Sequence, residues 1–373
     1  MSVEGRILLT CCRAVLQEPD RAGLIQLVSG PVDWGRLGAL AAKHRVLPLL
    51  HHHLSTCSPT ALPAARLRHL AVRVAAHAAR NIRLSQETAR LCGLLDAAGC
   101  TAMAFKGAPL AVTLYGKRSL RQSWDIDLLV SEEDRYRAQQ VLAAEEYRRR
   151  ASYDWAQDLV HPVTQVAVDL HWSLTPRVFA LHIDTRGLLA RRMFVTIDGA
   201  QIPVAAPEDL LCILCLQAAK DFWERRQHLE SLLKVTDIAE LLRVMPNLNW
   251  HQVTAAARQD GWQRILHFGL ALASGLLDAP LPPQVAAAVR ADHTAGVLAA
   301  DVSRRLFSAE DLAGFNLDEA SFTLRDRVRQ LRFFLSMRER PRDWGGHAVA
   351  VSRSIVPRMR KAWSRARSVS PLT

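Results

Sequence analysis

Two aspartates separated by one apolar residue, Asp125-Ile126-Asp127, run directly into Leu128-Leu129-Val130. Successive side chains of a β-strand leave on opposite faces, so a strand here turns Asp125 and Asp127 to one side and Ile126 and Leu128 into a core. Two carboxylates on one face repel each other and lose hydration, which costs free energy unless a cation neutralises them. Oxygen donors with room for water and phosphate describe a Mg²⁺ site. A third acid, Asp169, lies in Val166-Ala167-Val168-Asp169-Leu170-His171-Trp172, again within a strand-like apolar run. Three acids on neighbouring strands can hold two divalent ions roughly 3.5–4 Å apart, as in-line phosphoryl or nucleotidyl transfer uses them. His171 falls on the face of Asp169, where it either orients a ligand, touches phosphate or serves as a structural histidine.

The elements that must position these acids are legible nearby. Thr101 to Phe105 reads as a short buried strand that Lys106-Gly107 ends, and Ala108 to Tyr115 has helical character with Pro109 in its first turn. Strand, glycine turn and helix start leave backbone N–H groups for an anion, and Gly107 lets the chain approach a phosphate without a Cβ. Arg118 and Arg121 precede the aspartate strand. Either one neutralises phosphate charge in a transition state, or Arg121 pairs with Asp125 or Asp127.

Taken together, Lys106-Gly107, Leu110, Tyr115, Arg121, Asp125 to Val130 and Val168 to Trp172 resemble the signature of the bacterial uncharacterised nucleotidyltransferase family, within the DNA-polymerase-β-like superfamily. Weaker similarity touches His44 to Leu50, Lys220 and Thr236-Asp237-Ile238. It extends over most of residues 35–345, with specific motifs only in 105–172. The resemblance implies an α+β fold, a minimal mixed sheet with helices, flanked by N- and C-terminal helical regions. It further implies transfer of a nucleoside monophosphate from NTP, with Mg²⁺ (or Mn²⁺) held by Asp125, Asp127 and Asp169. Nucleotide contacts would come from Lys106, Gly107, Ala108, Arg121 and Lys220. The acceptor stays open between a small molecule, a protein side chain and a tRNA end. The alternative is a degenerate scaffold or RNA-binding module that keeps the fold without catalysis. Two residues depart from the pattern: Ala108 stands where the superfamily usually has serine, and Asp221 follows Lys220 where a basic group is common. Asp237 forms either a helical salt bridge or part of the pocket.

Composition bounds the rest. The 373 residues are 49% hydrophobic and 23% charged, a globular balance. Six lysines stand against forty-two arginines, so Lys106 at the turn and Lys220 near the site carry more information than arginines would. Seven scattered cysteines suit a reducing compartment, and Cys212 and Cys215, in an apolar helical run, read as core. The absence of an apolar stretch near ~20 residues argues against a membrane span, and with no secretory h-region the expected location is cytoplasmic. The expected organisation is a helical region over 1–97, a core over 98–205, a helical domain over 206–340 and a basic tail over 341–373. From Arg338 onward nine basic residues face two acids, and a tail with Trp363 among them either contacts RNA or an acidic partner or is a solvated end. Helices are expected over Ala64–Ala98 and Glu132–Glu145, strands near Val160–Val163 and Gln165–Trp172, and a hairpin at Asp198-Gly199. His51-His52-His53 reads as a loop or helix end. Helices from 1–97 and 207–340 are expected to close a cleft with Lys220 lining it and Asp237 within reach.

Overall fold

The computed structural model describes residues 1–57, 64–179, 181, 183–224, 231–307, 332, 333 and 335–339. Helices α1 (Val3–Cys11), α2 (Glu18–Val28), α3 (Trp34–Lys43), α4 (Leu47–Cys57) and α5 (Ala64–Ala97) come first. Strands β1 (Ala102–Ala104), β2 (Asp125–Val130), β3 (Arg148–Ser152), β4 (Ala156–Val160), β5 (Ala167–His171), β6 (Met193–Ile197) and β7 (Ala200–Val204) alternate with α6 (Ala108–Thr113), α7 (Arg135–Ala144) and α8 (Thr185–Ala190). Helices α9 (Pro207–Glu224), α10 (Leu232–Val244), α11 (Trp250–Asp260), α12 (Gln263–Leu277), α13 (Pro283–Ala291) and α14 (His293–Leu306) follow. The fold is α+β.

The strands form one mixed sheet in the order β3-β4-β5-β2-β1-β7-β6. At its centre β2 runs parallel to β5 and antiparallel to β1. Alternation along β2 divides the sheet into two faces. Ile126, Leu128 and Val130, with Val168 and Leu170 of β5, pack against Leu84, Leu91 and Leu95 of α5 and Leu142 of α7. Helix α5 can cover them because its buried residues, among them Asn81, Leu84, Thr88, Leu91 and Leu95, recur every three to four positions along one stripe. Gly99, at φ +72, ends that run where a side chain would be strained.

The opposite face holds Met103, Phe105 and Leu129. They join a core that runs from Ile7 and Leu8 of α1 through Leu211 and Phe222 of α9 to Phe268 of α12. Cys212 and Cys215 are buried in it, as expected of core thiols. This second face is the one the aspartates share.

Several local expectations shift. The triple histidine lies inside α4, with His53 donating from Nε2 to the Arg13 carbonyl at 2.7 Å, so it is neither loop nor helix end. The strand expected over 160–163 runs instead from Ala156 to Val160, and residues 162–164 turn into β5. Strand β3 had no forecast: Arg148, Arg149 and Arg150 are exposed at the sheet edge and show no apolar alternation. The β6–β7 hairpin closes at Asp198-Gly199 with Ile197 opposite Ala200, as read. The basic tail, with Pro341 and Trp363, lies outside the described residues.

Candidate active site

Register places the acids. Asp127 pairs directly with Asp169 across the parallel β2–β5 ladder, and Asp169 pairs directly with Asp158 across β4–β5. Directly paired residues share a face, so three carboxylates lie in a row across adjacent strands spaced about 4.8 Å apart, with Asp125 two residues upstream on β2. Like charges opposite each other destabilise a sheet. His171 projects from the same face, its Nε2 3.6 Å from Asp127 Oδ1 and its ring edge-on to Phe105 at 5.0 Å between centroids. One donor atom each from Asp127, Asp169 and His171 lie within 4.8 Å of one another. Both imidazole nitrogens are buried and make no hydrogen bond. Asp125 stands outside that close triad and acts on it through its charge.

The electrostatics are uneven. Burial alone would raise the Asp127 carboxyl, but the Lys106 ammonium at 2.9 Å and His171 beside it hold it well below the usual carboxylate range. Lys106 itself is raised: burial works against its charge, and Asp127, Asp221 and Asp125 outweigh that burial. Asp125 is raised by burial and by the Asp127 charge. Asp169 is pushed up to about 8 by burial, then by Asp127 and Asp125. His171 is lowered, chiefly by burial. One ammonium has been spent on one carboxylate, and Asp169 is left wanting a positive charge.

The turn after β1 is built for close approach. Gly107 sits at φ +78, ψ −147, and a Cβ there would come within 3.2 Å of the Asp125 carbonyl oxygen. Arg121 serves this turn from behind. Its Nη1 donates to the Gly107 carbonyl at 3.0 Å and to Ser123 Oγ at 3.1 Å. Its Nε and Nη2 donate to the two oxygens of Asp237 at 2.8 and 2.7 Å, and the Tyr115 hydroxyl donates to the same carboxylate at 2.7 Å. In a trans peptide C=O and N–H point opposite ways, so pinning the Gly107 carbonyl aims the Ala108 N–H away from Arg121. Arg121 therefore pairs with neither Asp125 nor Asp127, and its guanidinium, 6% exposed, is committed to Asp237. Asp237, 1% exposed, is its salt-bridge partner. Ala108 opens α6 and is buried.

Other charges arrive from α9 and α10. Lys220 is close enough for its charge to weigh on His171. Asp221, the departure beside it, binds Lys234 at 2.7 Å, and the Lys234 charge in turn acts on Asp125. Arg45, between α3 and α4, acts on Asp125 as well. Sequence reading missed Lys234 and Asp158, noted Asp221 only as a departure from the pattern, and touched Arg45 only within the weak similarity of His44 to Leu50. The rarity of lysine was a usable pointer to Lys234, since Lys106, Lys220 and Lys234 all converge here. Ala156 to Val160 has no apolar alternation, so nothing local announces Asp158. Nothing local announces Arg45. A cleft of about 460 Å³ is lined by Lys43, Arg45, Arg73, His77, Arg80 and Trp124 among others, and among the described residues neither the aspartates nor any of 207–340 line it. Lys220 does not line this opening, and its charge reaches the carboxylate row at His171 instead.

Residues 30–278 match the family model described as "Uncharacterised nucleotidyltransferase". A solved structure described as an antigenic nucleotidyltransferase-like protein from Paracoccidioides brasiliensis is 18% identical, covers 56% of this chain and 92% of its own, and superposes with a TM-score of 0.34. No curated protein matches the chain. No helix among the described residues is long and apolar enough to cross a membrane.

Proposed function

The chain belongs to the uncharacterised nucleotidyltransferase family, and from that premise we propose that it transfers a nucleoside monophosphate from an NTP to an acceptor in a reaction requiring Mg²⁺ or Mn²⁺. Asp127, Asp169 and Asp125 would hold the cation, with His171 beside them. The donor set fits: carboxylate oxygens dominate, as Mg²⁺ and Mn²⁺ prefer, and the buried imidazole nitrogens have no competing hydrogen bond. When bound, the ion neutralises triphosphate oxygens and activates the attacking atom. In the transfer, an acceptor oxygen or nitrogen bonds to the α-phosphorus and the bond from that phosphorus to the bridging oxygen breaks. Pyrophosphate leaves with the electron pair, and the acceptor's proton is released to water.

The chain's own residues prepare that displacement. Gly107 keeps a side chain out of the turn, Arg121 fixes the orientation of the 107–108 peptide, and Lys106 brings a permanent charge to the turn's edge. Lys220 and Lys234 add positive charge for the triphosphate from the helical side. One observation carries the reading: Asp127 and Asp169 are paired in register beside His171, with Asp169 pushed up to about 8 by burial and by the carboxylates around it. The scaffold alternative has one observation in its favour, the Lys106–Asp127 ion pair, which neutralises one carboxylate without metal.

Incubation with α-³²P-labelled NTPs, Mn²⁺ and cell lysate separates the two. An active transferase moves label to an acceptor, and Asp125→Ala/Asp127→Ala abolishes the transfer. Failure of all four nucleotides to label anything would favour the scaffold.

A further inference from the structure

The cleft beside Trp124 lies between the α3–α4 junction, α5 and the segment leading into β2. Its volume of about 460 Å³ falls in the range of small-ligand sites. Four permanent cations line it, Lys43, Arg45, Arg73 and Arg80, together with His77, and among the described residues no carboxylate is part of the lining. Trp124 forms its inner edge. The Arg80 guanidinium lies 4.4 Å from the centroid of the Trp124 ring, and His77 meets that ring edge-on at 5.3 Å. Stacking of this kind holds a guanidinium in place. Trp124 is 46% exposed and is followed directly by Asp125, on whose carboxyl the charge of Arg45 in this cleft acts.

These cations are not the ones at the phosphate turn. Lys106, Lys220 and Lys234 come from the end of β1 and from α9 and α10, whereas the cleft draws on the helices before residue 98. Of the cleft cations Arg45 is the one whose charge acts on the carboxylate row, at Asp125. A nucleotidyl transfer needs two anionic guests only if the acceptor is itself an anion. Arginine forks match phosphate oxygens two at a time, and four permanent cations in so small a volume suit a phosphate dianion better than a single carboxylate.

We propose that this cleft is the acceptor site and that the acceptor is a small molecule bearing a phosphate group, anchored by Arg73, Arg80 and Arg45 with its reactive atom toward Asp125. The proposal rests on the nucleotidyltransferase reading for the word acceptor, and on the cleft alone for phosphate binding.

Inorganic phosphate and glycerol 3-phosphate, followed by ³¹P line broadening at constant ionic strength, are the probes. The full chain is compared with Arg73→Ala, an exposed position that leaves the fold intact, and with Arg73→Ala/Arg80→Ala. Each is measured without nucleotide and with Mn²⁺ and a non-hydrolysable NTP. Both probes should bind the parent chain, and the double variant should weaken them at least tenfold and the single variant several-fold, while the melting shift produced by Mn²⁺ and NTP persists. Absent binding, or binding unchanged in the variants, overturns the proposal. Equal binding of acetate overturns the phosphate assignment, and loss of a short single-stranded RNA in the same variants, with no effect on the phosphate probes, overturns the small acceptor. If Mn²⁺ and NTP produce no shift in any chain, the nucleotidyltransferase reading falls while the phosphate result still decides the cleft.

Discussion

Two buried charge clusters lie on either side of the Gly107 turn, and they are finished to different degrees. Behind the turn, Arg121, Asp237 and Tyr115 satisfy one another: the guanidinium makes a two-bond fork with the carboxylate, and its remaining nitrogen holds the Gly107 carbonyl and Ser123. In front of it, the Lys106 ammonium is paired with Asp127, His171 makes no hydrogen bond, and Asp169 is pushed up to about 8. A completed cluster holds a shape. An incomplete one, in which Asp125 and Asp169 are only half-buried, is a place for a ligand.

The largest expected effect lies in the completed cluster. Arg121→Ala strands the buried Asp237 carboxylate and should cost ~3–5 kcal/mol, the usual range for breaking a buried pair. Replacing both partners, Arg121→Met with Asp237→Leu, should cost much less. Urea denaturation measures both, and a cost below about 1 kcal/mol for Arg121→Ala would mean that the two clusters do not differ as described.

The incomplete cluster should respond in the opposite direction. Asp169 has a folded-state value near 8 against an ordinary 3.8, so between those values the folded chain binds the proton that the unfolded chain releases. Stability contributed by the neutral form is full below the lower value and is lost as pH rises through the upper one. Without metal, Asp169→Asn should therefore gain stability over the parent as pH rises, on the order of 2 kcal/mol by pH 8 at ~1.4 kcal/mol per unit displaced and allowing for solvent screening. Millimolar Mn²⁺ should erase the gain. A variant less stable than its parent at pH 8 would show that the carboxylate already has its counter-charge.

Much of the incomplete cluster was legible in the sequence, and little of the completed one. Strand alternation alone puts Asp125 and Asp127 on one face, and the same two-residue period puts His171 with Asp169. Gly107 announces the turn because its backbone conformation excludes other residues. By contrast Arg121 and Asp237 are 116 positions apart, and no local pattern couples them. Asp237 reads as either a helical salt bridge or part of the pocket until α10 brings it to Tyr115 and Arg121. Lys234 and Arg45 are brought to Asp125 by the same long-range packing. Strand β3 was invisible for a different reason: an exposed edge strand of arginines has no apolar face to reveal its period.

The turn between the clusters should show a smaller effect on stability. Gly107→Ala forces a side chain into a backbone region reserved for glycine and against the Asp125 carbonyl, at a cost of ~1–3 kcal/mol. Its effect on nucleotide binding should exceed its effect on melting, which parallel NTP titrations and thermal scans would reveal. Equal NTP affinity in variant and parent would separate the turn from the site.

The central claim is that the unfinished carboxylates are a cation site. Calorimetric titration of Mn²⁺ into the parent chain and into Asp127→Asn/Asp169→Asn, with NTP present and absent, tests it most directly, with circular dichroism as the check on folding. The account predicts saturable Mn²⁺ binding to the parent, tighter with NTP, and at least a hundredfold weaker binding to a variant that remains folded. Identical Mn²⁺ isotherms for a folded parent and a folded variant, or none for either, would contradict it.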